Sequence, residues 1–180
     1  MPALHHENLG YLFGVIAVMA FSLTLPITKY PTPYLSVWDI GFGRSFLAAI
    51  GAFITLLMFG KEIPSLKQIF RLCVAASGIV FCFPVFTAVG MQTVPSSHGG
   101  VILGGLPLVT ALFGCFLSGE RPSLLFWTVA LCGFLVIAIY AVLNAGSLED
   151  LALYQGELAL LGAVLFAGLG YAQGGCLPEN

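Results

Sequence analysis

Six long apolar stretches occupy most of this 180-residue chain, and short connections separate them. Each stretch is roughly twenty residues long, which is the length that an α-helix needs to cross the ~30 Å hydrocarbon core of a bilayer. Charged residues make up 8% of the chain and hydrophobic residues 59%, whereas soluble domains carry about 25% charge. Because so few charges cannot cover a water-soluble surface, the sequence predicts an all-α membrane protein.

Turn residues mark the ends of these stretches. Proline cannot continue a helix and glycine commonly ends one, and such residues follow the first, second, fourth and fifth stretches. A tight hairpin near Pro95 joins the third and fourth. We therefore predict six transmembrane helices at residues 10–29, 36–59, 68–91, 95–118, 123–143 and 156–175, with an external loop at 145–155.

The positions of Lys and Arg predict the orientation of the chain, because cytoplasmic loops carry an excess of these residues. With the N-terminus in the cytoplasm, the inner connections contain Lys61, Lys67, Arg71 and Arg121, and the outer connections contain only Lys29. This bias favours a cytoplasmic N-terminus. It also argues against a chain that inserts in both orientations.

Several classes of function are disfavoured by what the chain lacks. Its net charge is -2, so it offers no basic patch for nucleic acid. It has no nucleotide-binding loop, no zinc-protease motif and no serine-hydrolase elbow. Glu120 and Glu157 lie at the ends of predicted helices, and residues 96–98 (Ser-Ser-His) favour helix capping over catalysis. We predict a non-enzyme with no cofactor, no metal and no nucleic-acid partner.

Arg44 lies inside the second predicted helix, where a cation costs about 2.5–3.5 kcal/mol on insertion scales. Such a residue faces a partner or a cavity. One interpretation is structural: Arg44 reaches the membrane surface, or pairs with Asp39 or a helix C-terminus. The other is that Arg44 lies in the pathway of a solute.

Three prolines lie within predicted helices, and each frees the backbone carbonyl four residues earlier. These carbonyls belong to Ser22, Val80 and Leu103, and in lipid they need another partner. Residues 104–107 (Gly-Gly-Leu-Pro) are predicted as the main break. Transporters often build solute sites at broken helices, so the candidate solute pathway comprises Arg44, Pro26, Pro84, Pro107 and, at the outer interface, Trp38.

The first and sixth stretches are similar, and an alignment that starts at Gly10 and Gly156 matches four residues. A repeat unit of five helices inverts its orientation when it recurs. Further motifs are specific: the chain resembles EamA-type members of the drug/metabolite transporter superfamily. The residues that carry the resemblance are Arg44, 88–91, 94–99, 105–112, the Gly-Glu-Arg-Pro-Ser turn at 119–123, and 170–175.

The resemblance implies ten helices in two inverted five-helix repeats, and secondary transport of a small metabolite or drug across the plasma (inner) membrane. Residues 1–144 would form the first repeat, and residues 156–180 the first helix of a truncated second repeat. The expected partners are a small-molecule solute and membrane lipid. The alternatives are a truncated, non-transporting fragment, an interaction partner of another membrane protein, and a homodimer that supplies the missing repeat.

Overall fold

A computed structural model describes residues 3–59, 65–119, 121–144 and 151–175 of the chain. Every regular element in these ranges is helical. Within them, five helical stretches are long and apolar enough to cross a membrane. Leu124–Val136 is a shorter apolar stretch at the start of a further helix. The prediction of an all-α membrane protein is confirmed. The five stretches are Gly10–Lys29, Val37–Phe59, Leu66–Thr93, Ser96–Leu117 and Gln155–Gly175.

The first span consists of two helices, α1 (Ala3–Ser22) and α2 (Thr24–Lys29). Pro26 has no N–H to donate to the Ser22 carbonyl, and α1 ends at Ser22. Pro26 then lies in the first turn of α2, where backbone N–H groups have no partner within the helix. The proline therefore breaks the span at Leu23 while the chain continues in the same direction.

The second span is the helix α3 (Val37–Phe59). Ser36 and Asp39 bond reciprocally at its start: the Asp39 N–H donates to Ser36 Oγ, and the Ser36 N–H donates to Asp39 Oδ2, both at 3.2 Å. This arrangement satisfies backbone donors that a helix start leaves without partners. Asp39 is thus a helix-end charge.

The third span contains α4 (Leu66–Ala76), a π-helical segment (Ser77–Cys82) and α5 (Phe83–Thr93). Pro84 lies in the first turn of α5 and cannot donate to the Val80 carbonyl. The hydroxyl of Ser45, on α3, donates to this carbonyl instead. A side chain from a neighbouring helix therefore satisfies the backbone group that the proline frees, as lipid requires.

The fourth span also has two parts, α6 (Ser96–Leu103) and α7 (Leu106–Ser118). The break at Gly104 and Gly105 lies where the sequence predicted it, and Pro107 occupies the first turn of α7. A two-residue connection at Val94 and Pro95 forms the predicted tight hairpin between α5 and α6. Gly119 ends α7 in the left-handed conformation, with φ of 67°, which glycine adopts without steric cost.

The last two helices are α8 (Leu124–Asn144) and α9 (Leu151–Gly175). The start of α9 corrects the predicted boundary at 156, because residues 151–155 of the predicted loop are helical. Within this helix, Gly156 serves packing. A Cβ atom there would collide with Thr93 and Val94, so glycine permits the close approach of α9 to α5.

Helix α9 lies at the centre of the bundle, and its most extensive contacts are with α5 and α7. Its core-facing side chains are small or aliphatic, and it packs against Phe83, Met91 and Leu103 of the preceding helices. The outer surfaces of α1, α3 and α8 expose large apolar side chains. Such surfaces face lipid in a multi-pass membrane protein.

Candidate functional site

A groove of about 630 Å³ lies between the first span and α3. We call it the Arg44 groove, because Arg44 is the only basic residue in its lining among the described parts of the chain. Thr24 and Thr28 of α2 and Asp39 of α3 are its other polar side chains, and the remaining walls are almost entirely apolar. Its lining residues are Ala20, Thr24, Ile27, Thr28, Pro31, Leu35, Asp39, Ile40, Gly43, Arg44, Phe46 and Leu47.

Arg44 is half-buried and contacts neutral groups in this groove. Its Nη1 donates to Thr28 Oγ1 at 3.2 Å, and its guanidinium carbon lies 5.9 Å from the centre of the Phe83 ring. A guanidinium near an aromatic face gains some cation–π stabilisation. The structure therefore brings α2 and α5 against a cation of α3.

Arg44 does not form the ion pair with Asp39 that one interpretation of the sequence predicted. Among the residues that the structure describes, no carboxylate oxygen lies within 4.0 Å of Arg44. The carboxylate of Asp39 instead accepts hydrogen bonds from the N–H and hydroxyl of Ser36, at 3.2 and 2.7 Å. Both charges line the groove, but each is held by different neighbours.

The predicted pathway residues are only partly brought together. Pro26 is adjacent in sequence to Ile27 of the groove, and Pro84 follows Phe83, whose ring lies beside Arg44. Pro107 lines a separate cavity of about 460 Å³, together with Thr110 and Tyr171. Trp38 lies outside both linings and stacks on Phe42, with ring centres 5.7 Å apart. Their roles in transport stay predictions.

Three of the predicted topology residues lie in the part of the chain that the structure describes. Lys67 and Arg71 are on the first half of α4, and Arg121 is an exposed residue between α7 and α8. Lys61 and Glu120 lie outside the described residues. The cytoplasmic location of this end of the bundle stays a prediction.

Several polar contacts were missed by the sequence analysis because they join distant segments. His98 Nε2 lies 2.7 Å from Glu157 Oε1, which links α6 to α9, and both side chains are about one-fifth exposed. Lys29 Nζ donates to the carbonyls of Val94 and Gln92 at 3.1 and 3.4 Å. A cation there is favourable because the C-terminus of α5 carries partial negative charge. The capping role predicted for residues 96–98 is not observed at the start of α6.

Comparisons with known proteins agree with this architecture. The EamA-like transporter family matches residues 8–142. The chain is 35% identical over 171 residues to a Bacillus subtilis (strain 168) protein named "Uncharacterized transporter YdeK". That alignment covers 95% of this chain and 58% of the relative, so the chain spans less than two thirds of the relative's length. No solved structure matches the chain. On the family match and this identity, the chain belongs to the EamA-like transporter family.

Proposed function

We propose that this chain takes part in secondary transport of a small metabolite or drug across the plasma membrane, and that the Arg44 groove forms part of the solute pathway. The observation that carries the proposal is a cation on a membrane-spanning helix that faces an open groove of about 630 Å³. Family membership supports transport as the class of function. The identity of the solute, the direction of transport and the coupling ion are questions for experiment.

The energetic argument concerns the position of Arg44. A cation inside a span is costly, and such residues face the bundle interior or a water-filled cavity. Arg44 lines a cavity and has the Thr28 hydroxyl as a neighbour. No carboxylate of the described residues pairs with Arg44, so its charge is not neutralised within this part of the chain. This supports a role for Arg44 toward something that enters the groove.

The broken helices support the same proposal. The first span is interrupted at Leu23, beside the groove, and the fourth is interrupted at Gly104 and Gly105. Interrupted helices present backbone groups and helix ends to a cavity, as in many transporters. The breaks at Pro26 and Pro107 therefore favour a pathway that follows the first and fourth spans.

We further propose that residues 1–144 form one repeat and that α9 begins a second. The family match ends at residue 142, before α9, which supports this division. The similarity of residues that follow Gly10 and Gly156 points the same way. In this arrangement the N-terminus is cytoplasmic, as the Lys and Arg distribution predicts.

A second candidate function is association with another membrane protein or with a second copy of this chain. Gly10, Gly14 and Gly51 have no atom within 4 Å of the position that a Cβ atom would take. Open glycines on α1 and α3 favour close helix–helix contact in lipid. Loss of association on replacing them with leucine would support this function.

Transport is tested by comparing cells that express the wild-type chain with cells that express Arg44→Ala. Metabolites in the medium and cytoplasm are profiled, and membrane abundance is measured in parallel. We expect the change in solute distribution to fall about tenfold or more in Arg44→Ala, because a charge-assisted contact contributes about 1.5–3 kcal/mol. Abundance should stay within about twofold of wild type.

The matched control is Arg71→Ala, which removes an arginine from α4, outside the groove. It should leave the solute distribution at the wild-type level. Equal transport by wild type and Arg44→Ala would remove Arg44 from the pathway. A wild-type chain that inserts normally and changes no metabolite would favour the non-transporting interpretation.

A further inference from the structure

We propose that the Arg44 groove contains a binding subsite for a negatively charged group, so that its ligand is a small carboxylate or phosphate compound. The identification of this ligand with a transported solute rests on the proposed function. The subsite itself rests on the charge, the hydrogen bonds and the shape of the groove.

The positive charge of Arg44 has no negative partner in the described part of the chain. A guanidinium carries five N–H donors, and one of its nitrogens donates to the neutral Thr28 hydroxyl. The Phe83 ring lies 5.9 Å from the guanidinium carbon and offers only a weak attraction. A carboxylate or phosphate can accept two parallel hydrogen bonds from guanidinium, and would neutralise the charge.

The nearest acidic residue of the groove is engaged elsewhere. Asp39 Oδ2 accepts from Ser36 N–H and Ser36 Oγ at the start of α3. Moving Asp39 to Arg44 would leave these donors without their acceptor. The fold therefore holds the internal acid away from the cation, which leaves the guanidinium available to an external anion.

Thr28 fixes the direction of the guanidinium. The Thr28 hydroxyl donates to the Thr24 carbonyl at 2.6 Å, so its oxygen is left to accept from Arg44 Nη1. Thr28 is only 3% exposed, and its position is set by packing. Arg44 is thereby held in one orientation before a ligand arrives, which lowers the entropic cost of binding.

The size and polarity of the groove suit a small organic anion. Its volume of about 630 Å³ falls within the roughly 300–1,000 Å³ range of small-molecule sites. Apolar side chains such as Ile27, Ile40 and Leu47 form most of the wall. Electrostatic attraction is stronger in such surroundings than in water, so a single cation can select an anion.

An anionic group can come from a soluble compound or from a phospholipid headgroup, and the test separates the two. The purified 180-residue chain in a neutral detergent is titrated with sodium succinate or sodium phosphate. The thermal unfolding temperature is measured at constant ionic strength, and sodium chloride at the same ionic strength is the reference. Succinamide, a neutral compound of the same shape as succinate, is the ligand control. We expect saturable stabilisation by succinate or phosphate and none by succinamide.

The matched variants are Arg44→Gln and Arg71→Gln. Arg44→Gln should weaken the response about 10- to 100-fold, because it removes a charge-assisted contact. Arg71→Gln removes the same charge from α4 and should retain the wild-type response. Arg44→Lys keeps the charge without the planar fork and should fall between them. If Arg44→Gln does not fold, Thr28→Val replaces it as the test variant. We expect Thr28→Val to weaken the response to the anion about 3- to 10-fold.

A second arm compares micelles that contain phosphatidylglycerol with micelles that contain phosphatidylcholine. Stabilisation by phosphatidylglycerol that depends on Arg44, without any response to succinate or phosphate, would assign the subsite to lipid and overturn the proposal. The proposal would also be overturned if the wild type and Arg44→Gln (or Thr28→Val, if Arg44→Gln does not fold) responded identically to the anion. Anion binding without transport would retain the subsite and refute the proposed function. Transport of neutral solutes without anion binding would retain the proposed function and refute the anion subsite.

Discussion

Glycines and polar side chains occur both at the α5–α9 contact and in the Arg44 groove, but their surroundings differ. Along α5–α9, glycines bring backbones together: added Cβ atoms at Gly90 and Gly156 would lie within 3 Å of the neighbouring helix, and one at Gly170 of α9 would lie as close to α4 and the π-helical segment. On the groove side, Gly43 has open space around it. The polar groups differ similarly, since Thr87 bonds within its own helix whereas Arg44 reaches across a cavity. Close packing fills the interface between these helices, and its absence beside Gly43 leaves room for a ligand.

The largest effect is expected from a methyl group added to the packed half. A Cβ atom at Gly170 would lie 2.8 Å from the Ala75 carbonyl oxygen and 2.7 Å from Ile79 Cγ1. Because a backbone oxygen cannot move aside alone, Gly170→Ala should destabilise the fold by up to about 3 kcal/mol. Thermal unfolding in detergent measures the change.

Gly14→Ala, on α1, is the matched control for that experiment. No atom lies within 4 Å of its added Cβ position, and alanine has a higher helix propensity than glycine. It should leave stability unchanged or raise it by up to about 1 kcal/mol. Equal losses from both substitutions would show that the two halves do not differ in packing.

A smaller effect is expected where α3 meets the π-helical segment. Ser45→Ala removes the hydroxyl that contacts the Val80 carbonyl and the Gly41 carbonyl of its own helix, and Pro84 has no N–H to donate to the Val80 carbonyl. A buried group without its partner costs about 1–3 kcal/mol, so the unfolding temperature should fall. The control is Thr55→Val, because Thr55 bonds only to Gly51 of its own helix. A Ser45→Ala protein as stable as the control would mean that the freed carbonyl needs no partner.

The smallest effect concerns His98 and Glu157, which link α6 to α9. Partly exposed ion pairs contribute about 0.2–1 kcal/mol, and these side chains are 21% and 23% exposed. His98→Gln, Glu157→Gln and the double variant form a thermodynamic cycle. We expect a coupling energy of about 0.5 kcal/mol. Additive losses would indicate that the two side chains act independently.

The comparison also explains which predictions were correct. The break at residues 104–105 and the end of α7 at Gly119 depend on proline and glycine chemistry close in sequence. Pro26 was identified inside the first predicted helix, but the division of that span at Leu23 was not predicted. The apolar span Gln155–Gly175 begins within one residue of the predicted start, and helix α9 itself extends beyond it to Leu151. The close contact of Gly156 with Thr93 carried no local signal, because Thr93 belongs to another helix. His98 carried no local signal for Glu157, since the two residues are brought together only by the packing of α6 against α9.

The sequence by itself determined that the chain is helical and crosses a membrane, because its apolar lengths and scarce charges allow no other stable arrangement. It also located Arg44 and the prolines that interrupt three spans. Tertiary structure decided their partners: Thr28 and Phe83 beside Arg44, Ser36 on Asp39, and Ser45 on the Val80 carbonyl. Hydropathy and turn chemistry are properties of neighbouring residues, whereas a side chain's partner depends on which helices meet.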